Sequence, residues 1–599
     1  MATTLASVTT AGGSFLLHEA DHAGIFIPED FSEEQRQIAA TAAEFAEKEV
    51  LPAAAEIEAK HFDVTRALLK KAGDLGLMAV DIPEAYGGLA MDKVTSAIIA
   101  DRMSVLASFS VAFSAHAGIG TLPIVWYGSE AQKGKYLPKL ATGEWIAAYA
   151  LSEASSGSDA MNLRTRAVLE GDHYILNGEK MWITNAGFAD LFTVFAKIVD
   201  PAEPDLSKTK ISAFLIERTT PGLTIGAEEH KLGIRGSSTC PLILNDCRIP
   251  VENLIGEAGK GHHIAFNILN IGRFKLGAAC VGGARTSLAN AVSYAKERKA
   301  FGKSISEFGL IQQKIADAAT RIYVGESMAY RTVGMIDTAL AGVEGSREIQ
   351  KGIEEYAIEC SILKVWGSEM LDAVVDHTVQ IYAGYGYVEE YPAERSYRDS
   401  RINRIFEGTN EINRLIISGF LMKRAMSGQL PLLAAIKSLM DEIMSPPALS
   451  ERDESEDPLA REAQMLANAQ KLALFAAGSA SQKYLNALAD QQEVMSALAD
   501  IILEIYALDS ALARARKLSA RQLPQAALAA QMTRLYAARA FPGIEAASRE
   551  VLAAVSEGDM LRTQLAVLRR LVKHEPANTI ALSRTIAQIV IDRGRYPMT

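Results

Sequence analysis

Arg404-Ile405-Phe406-Glu407-Gly408-Thr409-Asn410-Glu411-Ile412 puts a carboxylate among apolar neighbours, directly before a Gly-Thr step and an amphipathic run. Burial strips water from such a group, and because water stabilises the charged form, its pKa rises. A base that takes a proton from a weakly acidic C–H near neutral pH needs that shift. The same nine residues also suit a plain helix start, where a Glu beside a Gly-Thr step is ordinary. Alone, they leave both readings open.

Little else in the chain competes for chemistry. The four cysteines, Cys240, Cys247, Cys280 and Cys360, form no CxxC pair, and their scarcity suits a reduced, cytoplasmic compartment. On a helix the adjacent His262 and His263 would point about 100° apart. No HxxxH or HExxH spacing includes either of this pair, and no metal site is expected. No GxGxxG joins a strand to a helix, so a Rossmann half is not expected either. A formal net charge of -11 over 599 residues argues against a nucleic-acid partner, which needs a basic face.

At this length two to four domains are expected, by the size one core can reach. Residues 1–28 read as an N-terminal tail. Its start, Met1 to Gly13, is rich in Thr and Ala, and no arginine precedes Arg36, so neither a signal nor a transit peptide is expected. Apolar runs are expected to fall short of a membrane span, which points to a soluble protein. Residues 29–149 carry helical periodicity, opened by Ser32 and Gln35 at capping-box spacing. Residues 150–262 hold short β-rich segments at 173–176, 191–196 and 211–216, with turn signals at 170–172 and at Asn177-Gly178. Residues 263–430 return to long helices, interrupted mainly at Gly384-Tyr385-Gly386. A linker over 431–458, with Ser445-Pro446-Pro447 and Asp457-Pro458, leads to a helical block at 459–599. There Val494, Leu498, Ile501, Ile505, Leu508 and Leu512 mark one face. The fold class is therefore mainly α with a small β-domain.

Five separated segments resemble the signatures of the acyl-CoA dehydrogenase family, in that family's order. Tyr149-Ala150-Leu151-Ser152-Glu153-Ala154-Ser155-Ser156-Gly157-Ser158-Asp159 resembles the signature that opens its β-domain, and Lys180-Met181-Trp182-Ile183-Thr184-Asn185 resembles the second. Arg298-Lys299-Ala300-Phe301-Gly302-Lys303, Gln380-Ile381-Tyr382-Ala383-Gly384 and Ile405-Phe406-Glu407-Gly408-Thr409 resemble the other three. The resemblance covers residues 31–430. It implies a helical domain, a β-barrel or sandwich domain and a four-helix bundle, here with an appended C-terminal helical domain. That extension and Phe308-Gly309-Leu310-Ile311-Gln312 are most similar to the very-long-chain branch.

The family's activity is what the resemblance implies: FAD-dependent α,β-dehydrogenation of a long-chain fatty acyl-CoA to the trans-2-enoyl-CoA, the first step of β-oxidation. Glu407 takes the base role, and its backbone N–H, with a flavin hydroxyl in relatives, forms an oxyanion hole for the thioester carbonyl. Some relatives carry the base just before an arginine that here is Arg273. Gly272 stands there, so Glu407 has no rival. FAD contacts fall on Tyr149, Leu151, Ser152, Trp182 and Thr184, and on Thr409 and Glu411 beyond the base. Arg298, Phe301, Gln380 and Gly384 complete the flavin site across a subunit boundary, which implies a homodimer. Glu411 departs from the amide also used at its position, and a carboxylate beside phosphate calls for a nearby cation. Ser158, Asn270, Arg273 and Gly408 match substrate-binding positions.

Ser114-Ala115-His116-Ala117-Gly118-Ile119-Gly120-Thr121 falls where relatives open or close the acyl cavity. Small residues at Ala117, Gly118 and Gly120 leave room for a long tail, or simply let helices pack closely. The stripe Leu432, Leu433, Ile436, Leu439, Met440 and Ile443 is expected to pack on protein rather than a membrane, because Asp441 and Glu442 offset Lys437. An electron-transferring flavoprotein is the implied electron acceptor. An acyl-CoA oxidase reoxidised by oxygen, or a non-enzymatic scaffold on the same fold, stays open.

Overall fold

Ser32 and Gln35 open a helix as their spacing predicts. The Ser32 hydroxyl accepts the Gln35 N–H at 3.1 Å, the Gln35 side chain accepts the Ser32 N–H at 3.0 Å, and α1 (Glu33–Phe45) follows. The structure, a computed structural model, describes residues 10–200, 206, 209–444 and 457–598; residues 1–9 of the expected tail and 445–456 of the expected linker lie outside them. Helices continue to Ala141, among them α2 (Lys93–Arg102). A π-helical turn, Ala115–Gly120, interrupts the run between Ala107 and Tyr127. Such insertions displace one helix face and gather at functional sites.

Eight strands then build one sheet: β1 (Ala147–Ala150), β2 (Arg166–Glu170), β3 (His173–Thr184), β4 (Leu191–Ile198), β5 (Ile211–Glu217), β6 (Leu223–Ile225), β7 (Thr239–Pro250) and β8 (Leu254–Ile255). Their order is β6-β7-β3-β2-β4-β5-β8, with β1 parallel on β4. Asn177-Gly178 is not the turn its dipeptide suggests. β3 runs through it, paired on both sides, and absorbs the irregularity as a register shift between Leu176 and Gly178 against β7.

α3 (Gly261–Glu297), α4 (Gly309–Leu340), α5 (Ala357–Tyr382) and α6 (Asn410–Met426) form the helical layer behind the sheet. The Gly384 region interrupts them, and so does a hairpin of β9 (Lys299–Ala300) and β10 (Lys303–Ser304). α5 runs close along α3 because Gly277 faces Gly367: a Cβ on Gly277 would lie 3.0 Å from the Leu363 side chain. That close approach puts the α5 residue Lys364 within electrostatic reach of Arg273 on α3.

Part of the expected linker is helix. α7 (Leu432–Met444) buries Leu432 and Leu439 and rests Ile436 on Gly478 of α8 (Ala460–Tyr484), while Leu433 stays exposed. α9 (Gln492–Ala520) buries the whole stripe from Val494 to Leu512 and packs on α10 (Ala526–Val555). One hydrophobic core runs from α3–α5 into α8–α10, and a second joins the N-terminal helices to the sheet.

Residues 10–28 are no free tail. Phe15 and Leu16 are buried, and the Phe15 ring lies 4.8 Å from that of Tyr506. The Gly12 and Gly13 N–H groups donate to Glu355 and Glu359 at 2.8 and 2.7 Å. The short apolar runs Phe15-Leu16-Leu17 and Ile25-Phe26-Ile27 carry no helical periodicity, so only the distant partners reveal the docking. The membrane expectation also needs correction: Ala107–Tyr127 and Gly261–Glu297 are long and apolar enough to cross a bilayer, yet most of their apolar length is buried in the protein, as core helices are.

Candidate active site

The chain between α5 and α6 ends in a strained step. Glu407 (φ 57°) and Gly408 (φ 79°) both take left-handed backbone, which for a glutamate costs on the order of 1–3 kcal/mol. Thr409 caps α6, its hydroxyl accepting the Ile412 N–H at 3.2 Å, so Glu407 stands outside the helix it precedes. Its carboxylate presses on Gly272, where a Cβ would lie 2.7 Å from Oε2. Oε2 is buried with no hydrogen-bond partner among the described residues, and the Glu407 N–H donates to none of their backbone carbonyls. Loss of water outweighs the attraction of Arg273 and Lys364 and pushes the Glu407 pKa up to about 7.

Three side chains hold the step. Arg273 Nε donates to the Glu407 carbonyl at 3.4 Å, and its Nη1 donates to Asn270 Oδ1 at 2.9 Å. Lys364 Nζ donates to the Gly408 carbonyl at 2.6 Å and to Asn410 Oδ1 at 2.7 Å. Asn413 Nδ2 donates to the Gly408 and Thr409 carbonyls at 2.9 and 3.0 Å. Arg273, matched to a CoA position by resemblance, is thus buried and turned inward onto the Glu407–Gly408 step. Lys364 and Asn413 escaped the sequence reading. The signal for Lys364 was a lone charge in Ile362-Leu363-Lys364-Val365-Trp366, because an apolar run accepts a cation only where partners wait.

The β-domain supplies the facing wall. The Tyr149 hydroxyl is buried without a partner among the described residues, and burial, followed by the nearby Glu407 charge, keeps its phenol protonated. The Leu151 carbonyl accepts from Lys180 Nζ at 3.1 Å and the Ser152 carbonyl from the Met181 N–H at 2.9 Å. Lys180, fully buried, pairs with Glu153 at 2.7 Å and ties this stretch to β3. Here β3 bulges: register shifts between Lys180 and Ile183, and Trp182 (φ 58°) is thrown outward, 56% exposed. Thr184 resumes pairing opposite Thr239. Ser158 is exposed on the loop that follows Ser152. Glu411, on the first turn of α6, is held below the usual carboxylate range chiefly by its own backbone N–H, with Arg414 and Lys364 as the nearby cations.

Arg298, Phe301, Gln380 and Gly384 gather elsewhere, at the other end of α3. Arg298 lies about 25 residues past Arg273, hence roughly 37 Å away along the helix axis. Its guanidinium sits 5.5 Å over the Tyr385 ring, in a cleft lined by Tyr294, Tyr382 and Gly384. Phe301 (φ 52°) is 95% exposed at the hairpin turn, and Gln380 is exposed near the end of α5. The sequence-predicted cofactor residues therefore fall into two groups that one copy of the chain does not bring together. Among the described residues no group of three or more His, Cys, Asp or Glu side chains could hold a metal ion.

Known families match nearly the whole of this frame. The acyl-CoA dehydrogenase N-terminal domain matches residues 32–144, the middle domain 148–247, and two C-terminal domains 259–422 and 468–570. A probable acyl-CoA dehydrogenase of Bacillus subtilis (strain 168) is 47% identical over 593 residues, 98% of each chain. The human mitochondrial very long-chain specific acyl-CoA dehydrogenase is 42% identical over 58% of this chain and 51% of its own length. The human short-chain specific enzyme is 40% identical over 66% of this chain and 91% of its own. A crystal structure of an acyl-CoA dehydrogenase complexed with FAD from Bacillus anthracis superposes with a TM-score of 0.94 at 46% identity, covering 98% of this chain and 100% of that one.

Proposed function

This chain belongs to the acyl-CoA dehydrogenase family of flavin-dependent oxidoreductases, with FAD as its cofactor, and from that premise we propose that it dehydrogenates long-chain fatty acyl-CoA to trans-2-enoyl-CoA with Glu407 as the base. One observation carries the reading: a bare, desolvated carboxylate that only Gly272 leaves room for. Above a pH of about 7 Glu407 is an anion, with no hydrogen bond at Oε2 to give up before it takes an α-proton. The Glu407 N–H, which donates to no backbone carbonyl among the described residues, is available to a thioester carbonyl, and a donor there acidifies the α-carbon by stabilising enolate charge. FAD, when bound, supplies the acceptor for the β-hydride.

The residues present fit that cofactor. The uncovered Trp182 ring and Thr184 on β3, with the Tyr149 to Ser152 edge whose Tyr149 lies within electrostatic reach of Glu407, support a flavin-facing wall on the β-domain side. Thr409 and Glu411 sit at the start of α6, where backbone N–H groups suit a diphosphate. The Arg298, Phe301, Gln380 and Gly384 cleft completes such a site only from a second copy, because a copy's own lies roughly 37 Å off. A homodimer is part of the proposal.

Gly118 supports the long acyl tail. It is buried in the π-turn, yet a Cβ there would meet only Lys275 Cδ, at 4.0 Å. Lys275 lies one turn past Gly272 on α3, so Gly118 is set against the helix face that the proposed base also touches. Gly120 is different: it packs against Ala147, where a Cβ would lie at 2.9 Å. The four cysteines are free and buried, which supports a reducing, cytoplasm-like compartment. The proposal is completed by a role at the first step of β-oxidation, with an electron-transferring flavoprotein as acceptor. Glu407→Gln tests the central role. It retains FAD and acyl-CoA binding and loses turnover by on the order of a thousandfold; near-full activity overturns the assignment.

A further inference from the structure

We propose that Lys364 is a positioning residue for this reaction: it pins the Gly408 carbonyl, supplies a positive charge that Glu407 feels, and is braced from the C-terminal block. The side chain is fully buried on α5, and its two hydrogen-bond acceptors, the Gly408 carbonyl and Asn410 Oδ1, both belong to the turn that carries the base. Neither is a carboxylate. Lys180 and Lys275, also buried, are paired directly, with Glu153 and Asp81, each at 2.7 Å. An ammonium taken out of water without a bonded anion is costly, and burial pulls Lys364 down to about 8, with Glu407 the first anion that counters it. A lysine kept only for packing would be neutralised locally, as those two are. The field of Lys364 is left to reach the base.

Its acceptor is fixed from behind. Asn410 Nδ2 donates to Glu369 Oε1 at 2.9 Å, and Arg414 donates to both Glu369 oxygens at 2.8 and 3.1 Å. Arg414 Nε donates to Asp500 on α9 at 2.7 Å. Asp500, Arg414, Glu369, Asn410 and Lys364 thus form one run of hydrogen bonds from the C-terminal block to the loop of the base. Around Glu407 itself, α3 presents Arg273, α5 presents Lys364 and β1 presents the neutral Tyr149 phenol. Glu411 and Cys280 face Lys364, Cys360 faces Arg273, and burial keeps both thiols protonated. Arg273 stays charged across the working pH range, so removing Lys364 isolates one cation.

This inference rests on Glu407 as the base. The test mixes flavin-loaded protein rapidly with palmitoyl-CoA in the absence of oxygen and follows flavin bleaching against pH. Lys364→Met moves the acid limb of the bleaching rate upward by about one pH unit, because a carboxylate that loses a neighbouring cation holds its proton more tightly. Lys364→Arg returns the limb, and palmitoyl-CoA affinity changes by less than about threefold in both. An unmoved limb in Lys364→Met overturns the proposal, whatever the maximal rate does, since loss of packing alone lowers rate or stability without moving a limb. Where Lys364→Met yields no flavin-loaded protein, Asn410→Asp carries the test. A carboxylate paired with the ammonium cancels its field at Glu407 and raises the limb likewise; an unmoved limb overturns the proposal there too. Glu407→Gln runs alongside. Bleaching at the unmodified rate in that variant overturns the base reading itself, whereas an inert Glu407→Gln with an unmoved Lys364→Met limb removes Lys364 alone.

Discussion

Gly272 and Glu407 act as one device: the glycine omits a Cβ, and the carboxylate takes up the space. Gly272→Ala places a methyl 2.7 Å from Oε2, so the base must shift while the helix around it stays intact. Steady-state kinetics should show kcat lowered about 10- to 100-fold, as misplaced catalytic groups do, with the thermal midpoint little changed. In the proposed role deprotonated Glu407 is the working form, and on that reading activity rises with pH through about 7. The same shift has a stability consequence. The folded state binds this proton more tightly than the unfolded chain, whose value is near 4.5. The stabilisation is therefore complete below about 4.5 and lost as pH rises through about 7. Glu407→Gln cannot ionise, so it melts above the unmodified protein by a margin that widens between about pH 5 and pH 8. A margin that stays constant in scanning calorimetry contradicts the buried, raised carboxylate.

The elements differ in how plainly their sequence announces them. Ser32 and Gln35 cap α1 as spaced, and the β-rich segments at 191–196 and 211–216 fall inside β4 and β5, because local chemistry decides those features. The proposed base, Glu407, is legible as a carboxylate in an apolar run before a Gly-Thr step. What the run could not show was Gly272 against it, a contact made by a helix more than a hundred residues away. Asn177-Gly178 misled for the reverse reason: its turn propensity yields to the pairing of β3 with β2 and β7. The bulge at Trp182 and the π-turn at Ala115–Gly120 carry no local signature, since each is set by what packs around it. The π-turn yields a prediction of its own. Gly118→Leu fills the open space above Lys275 and should shift the acyl preference toward shorter chains, with kcat/KM for C16 thioesters falling at least about tenfold relative to C8. An unchanged chain-length profile removes Gly118 from the acyl cavity.

Arg514 shows how the whole molecule is closed. It is fully buried, donates to Glu29 at 2.7 Å and to Glu326 at 2.8 Å, and Tyr596 donates to that same Glu326 at 3.0 Å. The N-terminal segment, α4, α9 and the residues around Tyr596 therefore meet at one cluster, with a continuous core around it. Arg514→Met leaves Glu29 without its cation and Glu326 with Arg285 alone, and should cost about 3–5 kcal/mol in denaturant unfolding; a loss below about 1 kcal/mol contradicts this role. This closure also frames the site, because it fixes α9 and, through Asp500 and Arg414, the helix that follows the base. The most direct measurement is an anaerobic titration of the flavin-loaded protein with palmitoyl-CoA and, separately, butyryl-CoA, read at the flavin band near about 450 nm. Bleaching by palmitoyl-CoA and little by butyryl-CoA is the predicted result. No bleaching by either, with FAD bound, contradicts acyl-CoA dehydrogenation, and a preference for butyryl-CoA contradicts the long acyl cavity.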